Sequence, residues 1–93
     1  MINALLLINA ETGNETAIRE LLRKIVGVEE VYLVYGAYDI VAKIKTENMD
    51  KLQEIIDNRL RRFKEIRSRT TMIIIPEKPK VIVITNERSK IIA

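Results

Sequence analysis

The sequence contains no cysteine, no histidine and no tryptophan, and only three glycines and two prolines among its 93 residues. Without cysteine there is no disulfide framework, thiol nucleophile or thiolate metal site. Without histidine there is no Ser-His or Cys-His couple and no side chain that ordinarily titrates near neutrality. Gly13 and Gly36 stand alone, and no glycine-rich turn leads into Lys-Ser/Thr, so a phosphate-cradling loop is excluded. Aromatic residues are 4% of the chain against sixteen isoleucines, which makes for an aliphatic core. No apolar run approaches the ~20 residues of a membrane span. Residues 1–10 are apolar but lack a basic flank and carry Asn3 and Asn9, so they do not read as a leader. A cytoplasmic protein with no membrane partner is expected.

What is present is the balance of a folded domain: 47% hydrophobic and 31% charged residues. The length suits one domain. Sixteen basic residues face thirteen acidic ones, a net charge of +3, which is weak ground for a nucleic-acid partner. Abundant Lys, Arg, Glu and Ile beside a single Gln suit a heat-loving source.

Hydrophobic periodicity orders the chain. Residues 1–10 read as a strand closed by the polar run Glu11-Thr12-Gly13-Asn14. Ile18, Leu21, Leu22 and Ile25 then form a helical stripe, with Asn14 as candidate N-cap, Glu15 in the first turn and Gly27 as the stop. Residues 28–35 and 40–45 read as strands joined through Gly36-Ala37-Tyr38. Met49, Leu52, Ile55, Ile56, Leu60 and Phe63 mark a second helix, and 66–75 a further strand. Pro76 and Pro79 bracket a break before a fifth strand at 81–85, with 86–93 as a polar tail. The order β-α-β-β-α-β predicts an α+β, ferredoxin-like sandwich with an extra C-terminal strand. Both helices lie on one face, and the first and third strands are central. Residues 1–76 form the domain, and 77–93 the added strand and tail.

With helices on one face only, the strands should alternate apolar and polar. They do not: Ala4, Leu6 and Ile8 point one way while Leu5 and Leu7 point the other. Tyr32 and Val34 oppose Val31, Leu33 and Tyr35, and Met72 and Ile74 oppose Ile73 and Ile75. Leaving that second face in water forgoes several kcal/mol at roughly 25 cal/mol per Å². Sheet-to-sheet pairing of two copies is the expected remedy.

Chemistry-bearing clusters are sparse. Asp39, Asp50 and Asp57 fall on a strand edge, a helix start and a helix face, with no evident convergence for acid–base work. No catalytic residue, cofactor or metal is expected. Arg59, Arg61, Arg62, Lys64, Arg67 and Arg69 form a basic stretch that could contact nucleic acid. The stretch lacks the aromatic context of base-stacking sheets, and cations also suit a helix C-terminus. The segment Val34-Tyr35-Gly36-Ala37-Tyr38-Asp39-Ile40 is the most informative. A glycine at a strand end lets backbone N–H groups approach a ligand, and Asp39 can receive an ammonium or bond local amides. Spacing leaves these two roles for Asp39 open.

The pattern Val28-x-x-Val31 through Val34-Tyr35-Gly36-x-Tyr38-Asp39-Ile40 resembles the effector domain of the Lrp/AsnC regulators. Gly13 before the first helix and Ile66-x-x-x-x-Thr71 fit the same pattern. The resemblance implies a non-enzymatic module that senses a small effector, commonly an amino acid, and acts on transcription. It further implies a sheet-to-sheet homodimer assembling into octamers or related rings, with effector bound between dimers at the Gly-x-Tyr-Asp loop. Carried over, Tyr35, Gly36, Ala37 and Tyr38 line the pocket, Asp39 faces the ammonium or holds the loop, and Thr70 and Thr71 form a neighbouring wall. Family regulators place a helix-turn-helix before this domain, whereas here Met1 leads at once into the first strand. The expectation is a stand-alone effector domain without direct DNA binding, acting indirectly or by joining full-length Lrp/AsnC regulators.

Overall fold

The computed structural model describes residues 1–76 with their side chains and the backbone of 81–84 and 89–92. Strand β1 (Ile2–Ala10) buries Ala4, Leu6, Ile8 and Ala10. Strand β3 (Ile40–Thr46) buries Ile40, Ala42 and Ile44 beside them, in the register Ala4↔Ile44, Leu6↔Ala42 and Ile8↔Ile40. Onto this surface α1 (Glu15–Arg23) packs Ile18 and Leu22, the i and i+4 positions of its stripe. Ile25 follows it into the core. Each such Ile or Leu contributes on the order of 1.5–3 kcal/mol on full burial. Strand β2 (Val28–Leu33) pairs with β3, and β4 (Ile66–Ile74) with β1, giving the antiparallel order β2-β3-β1-β4. The four-strand sheet with its helices on one face is the expected ferredoxin-like arrangement.

The second helical segment is less regular than its stripe suggests. Helix α2 (Met49–Glu54) gives way to a π turn at Ile55–Arg59 and a 3-10 turn at Leu60–Arg62. Leu60 N–H donates to the Ile55 carbonyl, five residues back. The reason lies in the core: Ile55 and Leu60 are both buried. Five residues at about 100° each would set them roughly 140° apart on an α-helix. Widening the turn brings both inward.

The expected side-chain cap of the first helix is not made, while the second helix has one. Asn14 occupies the N-cap of α1 without a side-chain bond, whereas the Asn48 side chain accepts from Lys51 N–H at 2.9 Å and caps α2. Helix α1 ends at Arg23, before the expected stop. Gly27, at φ +104°, serves instead where the chain passes between Ile55 and the Lys45 carbonyl.

Strand β2 ends two residues earlier than the sequence reading placed it, because Val34 N–H turns to the Asp39 carbonyl. Strand β5 (Val81–Ile84) does not join the main sheet. It pairs with β6 (Ser89–Ile92) in a separate hairpin, so part of the stretch read as a polar tail is a strand. Ser89-Lys90 interrupts any apolar alternation there and hid it. Thr85 and the rest of the expected tail, 86–88 and 93, lie outside the described residues, as do 77–80 with Pro79.

The face of the sheet away from the helices is the apolar one foreseen. Leu5, Leu7 and Val41 are half-buried, and Tyr32, Met72 and Ile74 are exposed. No helix of the described residues is long and apolar enough to cross a membrane.

Candidate functional site

The loop between β2 and β3 is built around Asp39. Its amide donates to the Ile8 carbonyl and its carbonyl accepts from Val34 N–H, both at 2.9 Å. Its Oδ2 accepts from Ala10 N–H, also at 2.9 Å. Of the roles the spacing left open, the structure realises a tether. The amide that the carboxylate takes belongs to the end of β1, not to its own turn. Ala10 is where β1 needs such an acceptor, because the β1–β4 register shifts between Asn9 and Ala10 and the ladder is interrupted.

Beyond this neck Tyr35, Gly36 and Ala37 project into solvent, with the Tyr35 ring wholly exposed, and Tyr38 is half-buried. Gly36 holds φ +147°, a conformation that side chains disfavour. A hollow of about 350 Å³ lies at the root of the loop, lined by Glu15, Thr16, Leu33, Val34, Tyr35 and Asp39. That volume is at the small end of ligand sites, which run from ~300 Å³ upward. It sets two carboxylates against an apolar wall. Such a lining suits a small molecule with an ammonium group and an apolar side chain.

Sequence reasoning missed Glu15 and Thr16. Glu15 had been read only as a partner of the helix dipole. The signal available was positional: the first turn of α1 follows the end of β1, the strand end to which Asp39 ties its loop. Thr70 and Thr71 are not brought to this hollow within one chain. Thr70 stands opposite Leu7 and Thr71 opposite Leu6, with β1 between them and β3. They occupy opposite faces of β4.

The basic stretch is divided. Arg59, Arg61 and Arg62 surround a separate hollow together with Glu54 and Asp57, so carboxylates interrupt the cationic surface. Arg67 falls at the β4 bulge and Arg69 stands opposite Ile8, on the helix side of the sheet. The Tyr32 phenol is raised above its ordinary value of 10.0. The Glu30 carboxylate accepts its hydroxyl and raises it, with desolvation and the Glu30 charge adding to the effect. Among the described residues no three Asp or Glu side chains converge to hold a metal ion.

Sheet order and one-sided helices define a ferredoxin-like α+β domain. Residues 3–81 match the Lrp/AsnC ligand binding domain, and the chain belongs to that family of transcription-regulator domains. An uncharacterised HTH-type transcriptional regulator of Pyrococcus furiosus is 34% identical over 56 residues, covering 60% of this chain and 37% of that protein. The match therefore spans little more than a third of that relative's length. The crystal structure of FFRP-DM1 superposes with a TM-score of 0.77 at 35% identity, covering 81% of this chain and all of the other. A transcriptional regulator of Neisseria meningitidis, solved as an L-Met complex, shares the fold at TM-score 0.71 and 12% identity, over 82% of this chain and 51% of that one.

Proposed function

We propose that this chain is an oligomeric amino-acid-sensing module, with residues 1–76 as its effector-binding unit, that influences transcription through its state of assembly. The observation that carries the reading is the tethered loop beside the hollow of Glu15, Leu33, Val34, Tyr35 and Asp39. In it the α-ammonium meets the Glu15 and Asp39 carboxylates, the ligand carboxylate meets backbone N–H groups near Gly36, and the side chain lies along Leu33 and Val34. A second copy completes the site over the exposed Tyr35 ring, and Thr70 and Thr71 enter, if at all, from that copy. The L-Met complex of the Neisseria regulator supports the ligand class.

Assembly begins at the outer sheet face, where Leu5, Leu7, Val41, Met72 and Ile74 pack against a second copy. Effector then favours one assembly because its contacts form only where two such units meet. Coupling to full-length Lrp/AsnC regulators through the same surfaces gives an indirect route to DNA.

The test is calorimetry with the twenty amino acids, followed by Glu15→Gln and Asp39→Asn, which remove charge and keep an acceptor. Loss of about tenfold in affinity per carboxylate is expected, the value of one charge-assisted hydrogen bond. Unchanged affinity in both variants, or no heat with any amino acid, overturns the reading.

A further inference from the structure

A second cleft lies at the opposite end of the sheet from the Tyr35–Asp39 loop, and nothing in the amino-acid reading uses it. It has a volume of about 450 Å³ and runs between the α1–β2 turn, the end of β3 and the π turn after α2. Its apolar lining comes from the buried Ile25 and Ile55 and from Val26 at its edge. Val26 is 90% exposed and would be partly covered by an occupant. Its rim carries Lys45 and Arg59, neither of which meets a carboxylate within salt-bridge distance among the described residues, and Glu54. The other two rim charges satisfy each other, Lys51 Nζ lying 3.2 Å from Glu47 Oε2. The side chains of the rim leave one positive charge in excess, and Met1 lines the cleft beside them.

Two independent features shape this cleft. Gly27 holds its walls close: a Cβ there would sit 3.2 Å from Ile55 Cδ1 and 3.3 Å from the Lys45 carbonyl. The π turn begins at Ile55 and ends at Arg59, and both residues line the cleft. Inserted turns of this kind recur at functional sites.

We infer that this cleft binds a small aliphatic carboxylate, its anionic head between Lys45 and Arg59 and its hydrocarbon on Ile25, Val26 and Ile55. A monoanion answers the single excess charge, and an apolar body answers the apolar lining. Arginine and lysine at one head group allow charge-assisted hydrogen bonds from two directions. The site is independent of the loop, so the protein would read two kinds of small molecule at two ends of one sheet.

The experiment is a titration of the labelled protein with 4-methylpentanoate, followed through backbone amide resonances. The amine of the same skeleton, 4-methylpentylamine, serves as control. Saturable shifts at Gly27, Lys45 and Ile55 are expected with the acid and not with the amine. Lys45→Gln and Arg59→Gln, both at exposed positions, should each weaken binding about tenfold. Tyr35→Ala should leave it unchanged, which separates this cleft from the loop. Absence of saturable shifts, equal response to the amine, or full affinity in both glutamine variants overturns the assignment. If 4-methylpentanoate moves only Ala10, Val34 and Asp39, it binds at the loop and the cleft assignment is overturned, whereas an amino acid acting there bears on the loop reading alone.

Discussion

Asp39 shows how one side chain can tie a loop to the end of a strand far away in sequence. Removing its carboxylate strips Ala10 N–H of its acceptor at 2.9 Å in a part-buried setting. An orphaned donor of that kind costs about 1–3 kcal/mol. Asp39→Ala should therefore lower stability by that amount in urea denaturation, while Asp39→Asn, which keeps an oxygen in place, should cost much less. Equal losses would mean that charge and not the bond matters. Sequence spacing alone could not decide this, because the amide in question belongs to Ala10, twenty-nine residues away. Tyr32 offers a second reading at this scale. Its phenol is raised above the ordinary 10.0 by Glu30, so Glu30→Ala should lower the Tyr32 midpoint, read by residue-resolved NMR titration; an unmoved midpoint would remove Glu30 as the cause. A phenol whose pKa is raised by folding favours the folded state below the unfolded value. That benefit disappears as pH rises through the folded one. Both residues are exposed at the sheet surface of a single copy, so stability should change little over this alkaline window.

At the scale of elements, local chemistry separates two asparagines that look alike in sequence. Asn48 caps α2 through its side chain, and Asn14 does not cap α1. Asn48→Ala should cost about 1 kcal/mol and Asn14→Ala only a few tenths, measured by chemical denaturation of each variant. Helix α1 was legible from the clean spacing of Ile18 and Leu22, β1 as a short apolar run closed by Glu11-Thr12-Gly13-Asn14, and β3 from Ile40, Ala42 and Ile44 on one face. The break in the second helix was not. Ile55 and Leu60 both had to reach the core, and only packing against the sheet decided that the backbone, and not a side chain, would yield. The β5–β6 hairpin was half legible, since Val-Ile-Val-Ile announces a strand and Ser-Lys-Ile-Ile does not. Of the candidate site, the loop was legible through its Gly-x-Tyr-Asp residues. Its second wall, Glu15 and Thr16, arises from tertiary placement.

For the whole molecule, the outer sheet face is the dominant unsettled surface of a single copy. Leu7 sits at its centre, between Val41 on β3 and Thr70 on β4. Leu7→Glu places a charge there without disturbing the helix-side core. On the proposed sheet-to-sheet pairing, the unsubstituted protein should sediment as a dimer and Leu7→Glu as a monomer with native circular dichroism. A dimer that survives the substitution would place the contact elsewhere. The edge strand β4 adds to the demand for cover, since Ile73, on the helix side opposite Ala4, is still 46% exposed. A long apolar edge of that kind invites pairing by another chain.

The bond from Asp39 to Ala10 reaches further than the loop it holds. Ala10 marks the slip in register between β1 and β4, and the next amide, Glu11 N–H, is held by the Glu65 carbonyl at 2.7 Å just before β4 begins. Loop neck, strand end and the entry to β4 thus form a single linkage running across the width of the sheet. Displacement of the Tyr35–Asp39 loop should therefore pass through Asp39 and Ala10 to the β1–β4 register shift, where the ladder is already dislocated. The same dislocation that looks like an imperfection of pairing is therefore the place where this sheet can give.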